Sequence, residues 1–132
     1  MKKTRFQQRF QNFEKSFSLL QKAIQIESLS EIERAGLIQF FELTFELAWK
    51  TLKDYLESEG QSPVSPRETL KQAFQNGLLQ EGHVWMEALS DRNLSTHTYD
   101  EATSLQMEKT IREKYFPALQ ELHKTLKEKL KS

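Results

Sequence analysis

Between about Thr4 and Ile26, Phe6, Phe10, Phe13, Phe17, Leu20 and Ile24 recur at spacings of three and four, which lays one apolar stripe along a helix. In SLSEIE, Ser28 with Glu31 and Ser30 with Glu33 both have capping-box spacing. A second helix starts at one of them and runs to about Glu59, where Gly60 can supply the left-handed C-terminal residue. Two apolar stripes lie side by side on it: Leu37, Phe41, Phe45, Ala48, Leu52 and Tyr55 form one, and Phe40, Leu43 and Leu47 the other. A helix apolar over so wide an arc is central to a fold or shared with a partner subunit. In SPVSPRE, Ser65 caps a third helix, Pro66 takes its first position and Glu68 completes the box, and Asn76-Gly77 ends it. A fourth segment, Leu78 to about Leu94, is built around Val84, Trp85, Ala88 and Leu89. The last helix carries Leu105, Ile111, Tyr115, Leu119, Leu122, Leu126 and Leu130, with Pro117 expected to kink or divide it. No run alternates with period two. The pattern predicts an all-α protein, an antiparallel bundle of about five helices with short connections.

Composition sharpens this picture. Four glycines and three prolines in 132 residues leave room for long helices, and the length fits a single helical-bundle domain over residues 1–132. The absence of cysteine excludes a disulfide framework, thiolate metal ligands and thiol redox chemistry. MKKTRFQQRF is basic but lacks a signal-length apolar run, and no segment nears the roughly 20 apolar residues that span a bilayer. The expectation is a cytoplasmic protein with no membrane partner. Nineteen basic residues balance nineteen acidic ones, which argues against a general nucleic-acid coat.

SDRNLSTHTYDE, residues 90–101, departs from the oily, charged pattern around it. Asn, Ser and Thr compete with helix by bonding the backbone locally. On a continuous helix Arg92 and His97 would lie about 140 degrees apart, so they would not converge. Thr98 and Glu101 again have capping-box spacing, however, and Asp100 adds charge to the first turn. The fourth helix is thus expected to end near Leu94 and the fifth to begin at Thr98, leaving His97 just ahead of a helix N-terminus and Arg92 reaching over from the previous helix. Such a corner offers outward-pointing amides, a forked guanidinium and an imidazole that titrates near neutrality, a set suited to phosphate. With an RNA phosphate, His97 can act as general acid or base while Arg92 stabilises charge on the phosphoryl oxygens, without a metal. Asn93, Ser95 and Thr96 can bond a sugar or base, and Tyr99 adds a ring and a hydroxyl. Arg, His and Tyr in an interhelical turn also serve simply as caps and as partners of Asp91 or Glu101, and the residues alone leave both roles open.

Within FELTFELAWKTLKDY, Glu46 and Lys50 have the favourable order for an i,i+4 ion pair, whereas Glu42 and Glu46 repel. Flanked by two apolar faces, Glu42, Glu46 and Lys50 either form a solvated stripe or line a groove facing a partner or the Arg92 and His97 corner. Trp49 and Trp85 are expected as core or interface anchors. His83 and His123 are expected at the surface. The three histidines share no ligand spacing, so no metal site is predicted.

Three ordered blocks, FELTFELAWKTLKDYLESEG, SPRETLKQAFQNGLL and WMEALSDRNLSTHTYDE, closely resemble the nucleotidyltransferase substrate-binding protein family of the HEPN superfamily. The HEPN hallmark, arginine and histidine separated by four to six residues, matches Arg92 and His97, and the longer form ending in histidine, any residue, tyrosine matches His97, Thr98 and Tyr99. The resemblance implies an up-and-down helical bundle forming homodimers that bring both copies of the motif towards a shared cleft. It also implies a separate partner, a minimal nucleotidyltransferase. This chain lacks the Gly-Ser loop and paired aspartates of that enzyme, so nucleotidyl transfer would come from the partner. In related toxin–antitoxin systems the HEPN member is a metal-independent RNase, silenced when the nucleotidyltransferase adds AMP to the motif tyrosine, here Tyr99. The expected roles are therefore a substrate- or nucleotide-binding subunit or an endoribonuclease toxin, with no cofactor in either.

Overall fold

The computed structural model describes residues 2–92 and 100–131, and every described element is helical. The long helix α1 (Lys2–Ile24) packs along α2 (Glu31–Ser58). Their cross-links fix the direction. Arg5 pairs with Glu57, Arg9 Nε donates to Asp54 Oδ2 at 2.9 Å, and the Ser16 and Thr44 hydroxyls meet at 2.6 Å, so rising numbers on α1 meet falling numbers on α2. The phenylalanine stripe of α1 and the first stripe of α2 are buried as the periodicity requires, with Phe13, Phe41, Ala48 and Leu52 sealed from solvent. Tyr55 is only partly buried, its ring edge-on to Phe6.

Local signals set the helix ends. Of the two candidate caps before α2, Ser30 is the one used: its hydroxyl accepts from Glu33 N–H and Glu33 Oε1 accepts from Ser30 N–H. At the other end Gly60 takes φ of 90° and Gln61 N–H returns to Leu56 O at 2.9 Å, a Schellman closure. The helix α3 (Pro66–Gln75) opens on Ser65, whose side chain accepts from Glu68 N–H, with Pro66 at its first position. Gly77, with φ of 76°, closes it in the same way, Leu78 N–H returning to Ala73 O at 2.9 Å. That closure turns Leu78 and Leu79 into the core as non-helical residues, so α4 (Gly82–Asp91) starts four residues later than its apolar pattern suggests.

Together α3 and α4 return the chain to the end of the bundle where α2 began. The final rod then runs parallel to α2, with Arg34 against Glu108 and Phe41 against Tyr115, and antiparallel to α1, with Phe17 against Phe116 and Phe10 against His123. This rod comprises α5 (Glu101–Thr110), a π-helical turn (Ile111–Tyr115) and α6 (Phe116–Leu130). Its cap is Asp100, which accepts from Thr103 N–H at 3.1 Å, rather than the expected Thr98. Asp is as strong a capping residue as Ser or Thr, and from here it also takes the Thr103 hydroxyl. Pro117 neither divides nor stops the rod. Phe116 N–H reaches back to Ile111 O, and this wider turn absorbs the missing Pro117 donor and the room its ring needs near the Glu113 carbonyl.

Two arginines fasten the α1–α2 connection to this rod. Arg34 and Arg112 each donate to one oxygen of Glu108, at 2.9 and 2.8 Å, while Arg112 also donates to the carbonyls of Ile24 and Ile26 and Arg34 to that of Leu29. Burial would raise the Glu108 carboxyl, but the two guanidiniums outweigh it and hold the group below its ordinary value of 4.5. A depressed folded value adds stability above the unfolded value, and that stability is lost as pH falls through the folded one. Denaturant curves from pH 7 downward should therefore show Glu108→Gln less stable than the native chain near neutrality, with the gap closing in acid. A gap independent of pH would remove the charge from this account.

His123 corrects the sequence reading. It is part-buried between α1 and α6, stacked on Phe10 and Phe17 and hydrogen-bonded to Glu14 at 2.8 Å. Its charged sequence neighbours hid the aromatic face it meets across the bundle. His83 is exposed, as expected.

Candidate functional site

The C-terminal end of α4 is held by its own last residue. Tyr115, placed by the π turn and buried, stacks on Phe41 of α2 with centroids 5.1 Å apart and rings 16° from parallel, and its hydroxyl donates a short hydrogen bond to Asp91 Oδ2. Burial first, then the hydrogen bond to Asp91 and the charges of Asp91 and Glu87, push the phenol far above its usual range, so it remains a proton donor. Sequence reading placed Tyr115 in the apolar stripe and missed this role. The signal was there in the chemistry, since a buried tyrosine hydroxyl needs an acceptor.

Arg92 follows directly, in helical conformation as the C-cap of α4. Its Nη1 lies 3.3 Å from Glu46 Oε1, and that atom is buried without a hydrogen bond of good geometry, so the contact is an ion pair. The other Glu46 oxygen, Oε2, accepts from Trp49 Nε1–H at 3.0 Å. Glu46 is thus held from both sides. An ion pair this exposed is worth roughly 0–1 kcal/mol, so its main effect is to orient the guanidinium. Among the described residues Glu46 is its one polar partner, and a guanidinium carries five N–H donors in a fixed fork.

The expected Glu46–Lys50 pair does not form. Arg92 and Trp49 occupy the two Glu46 oxygens, and the Lys50 ammonium lies 6.0 Å from the centroid of the Trp49 ring. Glu42 and Glu46 line an open concavity of about 440 Å³ beside α2, with Gly36, Gln39, Phe40 and Leu43. The second apolar stripe therefore stays partly in solvent, with Leu43 50% exposed. The two tryptophans diverge: Trp85 is buried against Phe45, whereas Trp49 is half-buried and serves as the donor to Glu46.

Asn93, Ser95, His97 and Tyr99 lie outside the described residues, as do Thr96 and Thr98. The described residues on either side of this segment are Arg92, paired with Glu46, which Trp49 also holds, and Asp100, which caps α5. A guanidinium held beside a concavity suits an anionic group such as a phosphate. Among the described residues no three His, Asp or Glu side chains are grouped to hold a metal ion, and no helix is long and apolar enough to cross a membrane.

Comparison with known proteins gives this geometry a context. A protein of Haemophilus influenzae, "Probable ribonuclease HepT", is 29% identical over 76 residues, which are 54% of this chain and 52% of that protein, so the match spans about half of the relative's length. A crystal structure of a Thermus thermophilus protein superposes with a TM-score of 0.76 at 32% identity, over 91% of this chain and 99% of that one. The family pattern "Nucleotidyltransferase substrate binding protein like" matches residues 8–128, from the first turns of α1 to the last of α6. The chain belongs to the nucleotidyltransferase substrate binding protein like family.

Proposed function

We propose that this chain is the substrate- or nucleotide-binding subunit of a two-component minimal nucleotidyltransferase system of toxin–antitoxin type. The observation that carries this reading is Arg92, oriented by Glu46 and Trp49 at the edge of a concavity, in a chain whose family is described by nucleotidyltransferase substrate binding. Arg92 takes the phosphate of the bound molecule, His97 adds a second donor from the motif, and Asn93, Ser95 and Tyr99 contact the rest of it. Transfer chemistry belongs to the partner, a separate polypeptide. The exposed second stripe of α2 supports a homodimer, since Leu43 and the half-buried Phe40 and Leu47 form an apolar strip of the kind a second subunit covers. Co-expression with a minimal nucleotidyltransferase from the same genome should yield a complex that survives size-exclusion chromatography. Separate elution of the two proteins would count heavily against this function.

The name of the Haemophilus relative favours a second reading, a metal-independent endoribonuclease. Here His97 takes the 2'-hydroxyl proton, that oxygen attacks phosphorus, the 5'-oxygen leaves with a proton, and Arg92 stabilises the charge on the phosphoryl oxygens. The partner silences the chain by adding AMP to Tyr99: the phenol oxygen attacks the α-phosphorus of ATP, pyrophosphate leaves, and the phenol proton passes to solvent.

A further inference from the structure

A second concavity, of about 300 Å³, lies between the α3–α4 connection and the start of α6, and none of its lining residues lines the concavity beside Glu46. Its floor is apolar, formed by Leu79, Val84, Trp85, Ala118 and Leu122, with Pro117 at the lip where the π turn ends. Its rim carries Glu81, Glu113 and Glu121. All three are exposed, and among the described residues none of their carboxylates has an ion pair or a side-chain hydrogen bond. Lys114, the cation on the same wall, is taken up by Glu87 at 3.3 Å. An apolar floor beneath uncompensated negative charge is therefore built into one face of a chain with no net charge overall.

We propose that this groove is the docking surface for the partner nucleotidyltransferase and takes a basic, apolar-anchored segment of that protein; the assignment rests on the two-component reading above. Glu113 and Glu121 are eight residues apart along one rod, about 12 Å, and Glu81 faces them from the opposite wall. A short segment with Lys or Arg at its ends and large apolar side chains between them matches both the spacing and the floor. The floor is what selects a protein segment over a free organic amine, whose methylenes would leave much of the apolar surface wet. The rim charges steer the encounter and fix the register. Location supports the same assignment. Trp85 and the C-cap Arg92 are seven residues apart, about 10 Å along the axis and close to one face of α4, so a partner seated here is near Arg92.

The test uses the full chain and the co-expressed nucleotidyltransferase, with affinity measured by calorimetry. The double variant Glu113→Lys/Glu121→Lys reverses two unpaired exposed charges and leaves the folded core untouched. It should bind at least about tenfold more weakly, whereas Glu27→Lys/Glu59→Lys, with the same change in net charge on exposed positions elsewhere, should stay within about twofold of the native chain. Undiminished binding by the Glu113 and Glu121 variant would overturn the docking surface and leave the two-component function standing. Absence of any complex with the native chain would remove both. Spermidine is the probe for the competing occupant: if it saturably shifts the Trp85 indole resonance while the partner, bound to the native chain, does not, the groove is a small-cation site and the proposal fails.

Discussion

Replacing Phe41 with alanine should cost the fold about 3–5 kcal/mol, the range for truncating a fully buried aromatic residue. In a chain of this length that corresponds to a fall in Tm of roughly 10–20 °C. Phe41 has no exposed surface, stacks on Tyr115 and meets Phe45 with centroids 6.1 Å apart, so the truncation opens a void where α2 meets the final rod. The effect reaches beyond stability, because Tyr115 loses the platform that aims its hydroxyl at Asp91. The end of α4 then loosens, and Arg92 with it. Calorimetric unfolding of Phe41→Ala beside Ile32→Ala, on a side chain 85% exposed, separates burial from side-chain size alone. The second variant should change stability by less than about 0.5 kcal/mol. Comparable losses in both would mean that α2 does not pack on the rod through Phe41.

Phe41 was legible in the sequence because its role repeats with the helical period. The same holds for the phenylalanine stripe of α1, and for both Asn76-Gly77 and Gly60, where a left-handed residue at a helix end carries its own chemical signature. Local patterns failed where the deciding partner comes from another helix. The sequence order favoured Glu46 with Lys50, but a surface pair of that kind is worth only a few tenths of a kcal/mol, and Arg92 arriving from α4 with Trp49 alongside is enough to displace it. His123 looked solvent-facing because its sequence neighbours are charged, while its ring meets Phe10 and Phe17 of α1. The π turn is a third case. Pro117 announced a disturbance, yet whether a rod breaks or widens there depends on whether packing on both sides holds it in line, and Tyr115 on Phe41 and Phe116 on Phe17 both do so. Of the candidate motif only Arg92 lies among the described residues, and the Tyr115–Asp91 anchor next to it is a purely tertiary feature that no local pattern announced.

In EDTA, metal-free cleavage of labelled RNA by the purified chain should fall by roughly 10²- to 10⁴-fold in His97→Ala, the range that a lost general acid or base produces. Arg92→Ala should lose at least about 10²-fold, because a donor aimed at developing phosphoryl charge has no substitute in water. Arg92→Lys separates charge from geometry. Lysine keeps the positive charge but cannot make the forked contact or reach Glu46 in the same way, so its activity should fall between the native chain and Arg92→Ala. Cleavage that survives His97→Ala would eliminate the proposed acid–base role. A native chain without cleavage, shown by mass spectrometry to carry no nucleotide on Tyr99, would leave the binding-subunit reading alone, and Arg92→Ala should then weaken nucleotide binding by at least about tenfold. The two outcomes use the same guanidinium for different ends. In one it stabilises a charge that develops during reaction, and in the other it holds a charge already on the ligand, so a loss confined to turnover or to affinity identifies which chemistry Arg92 serves.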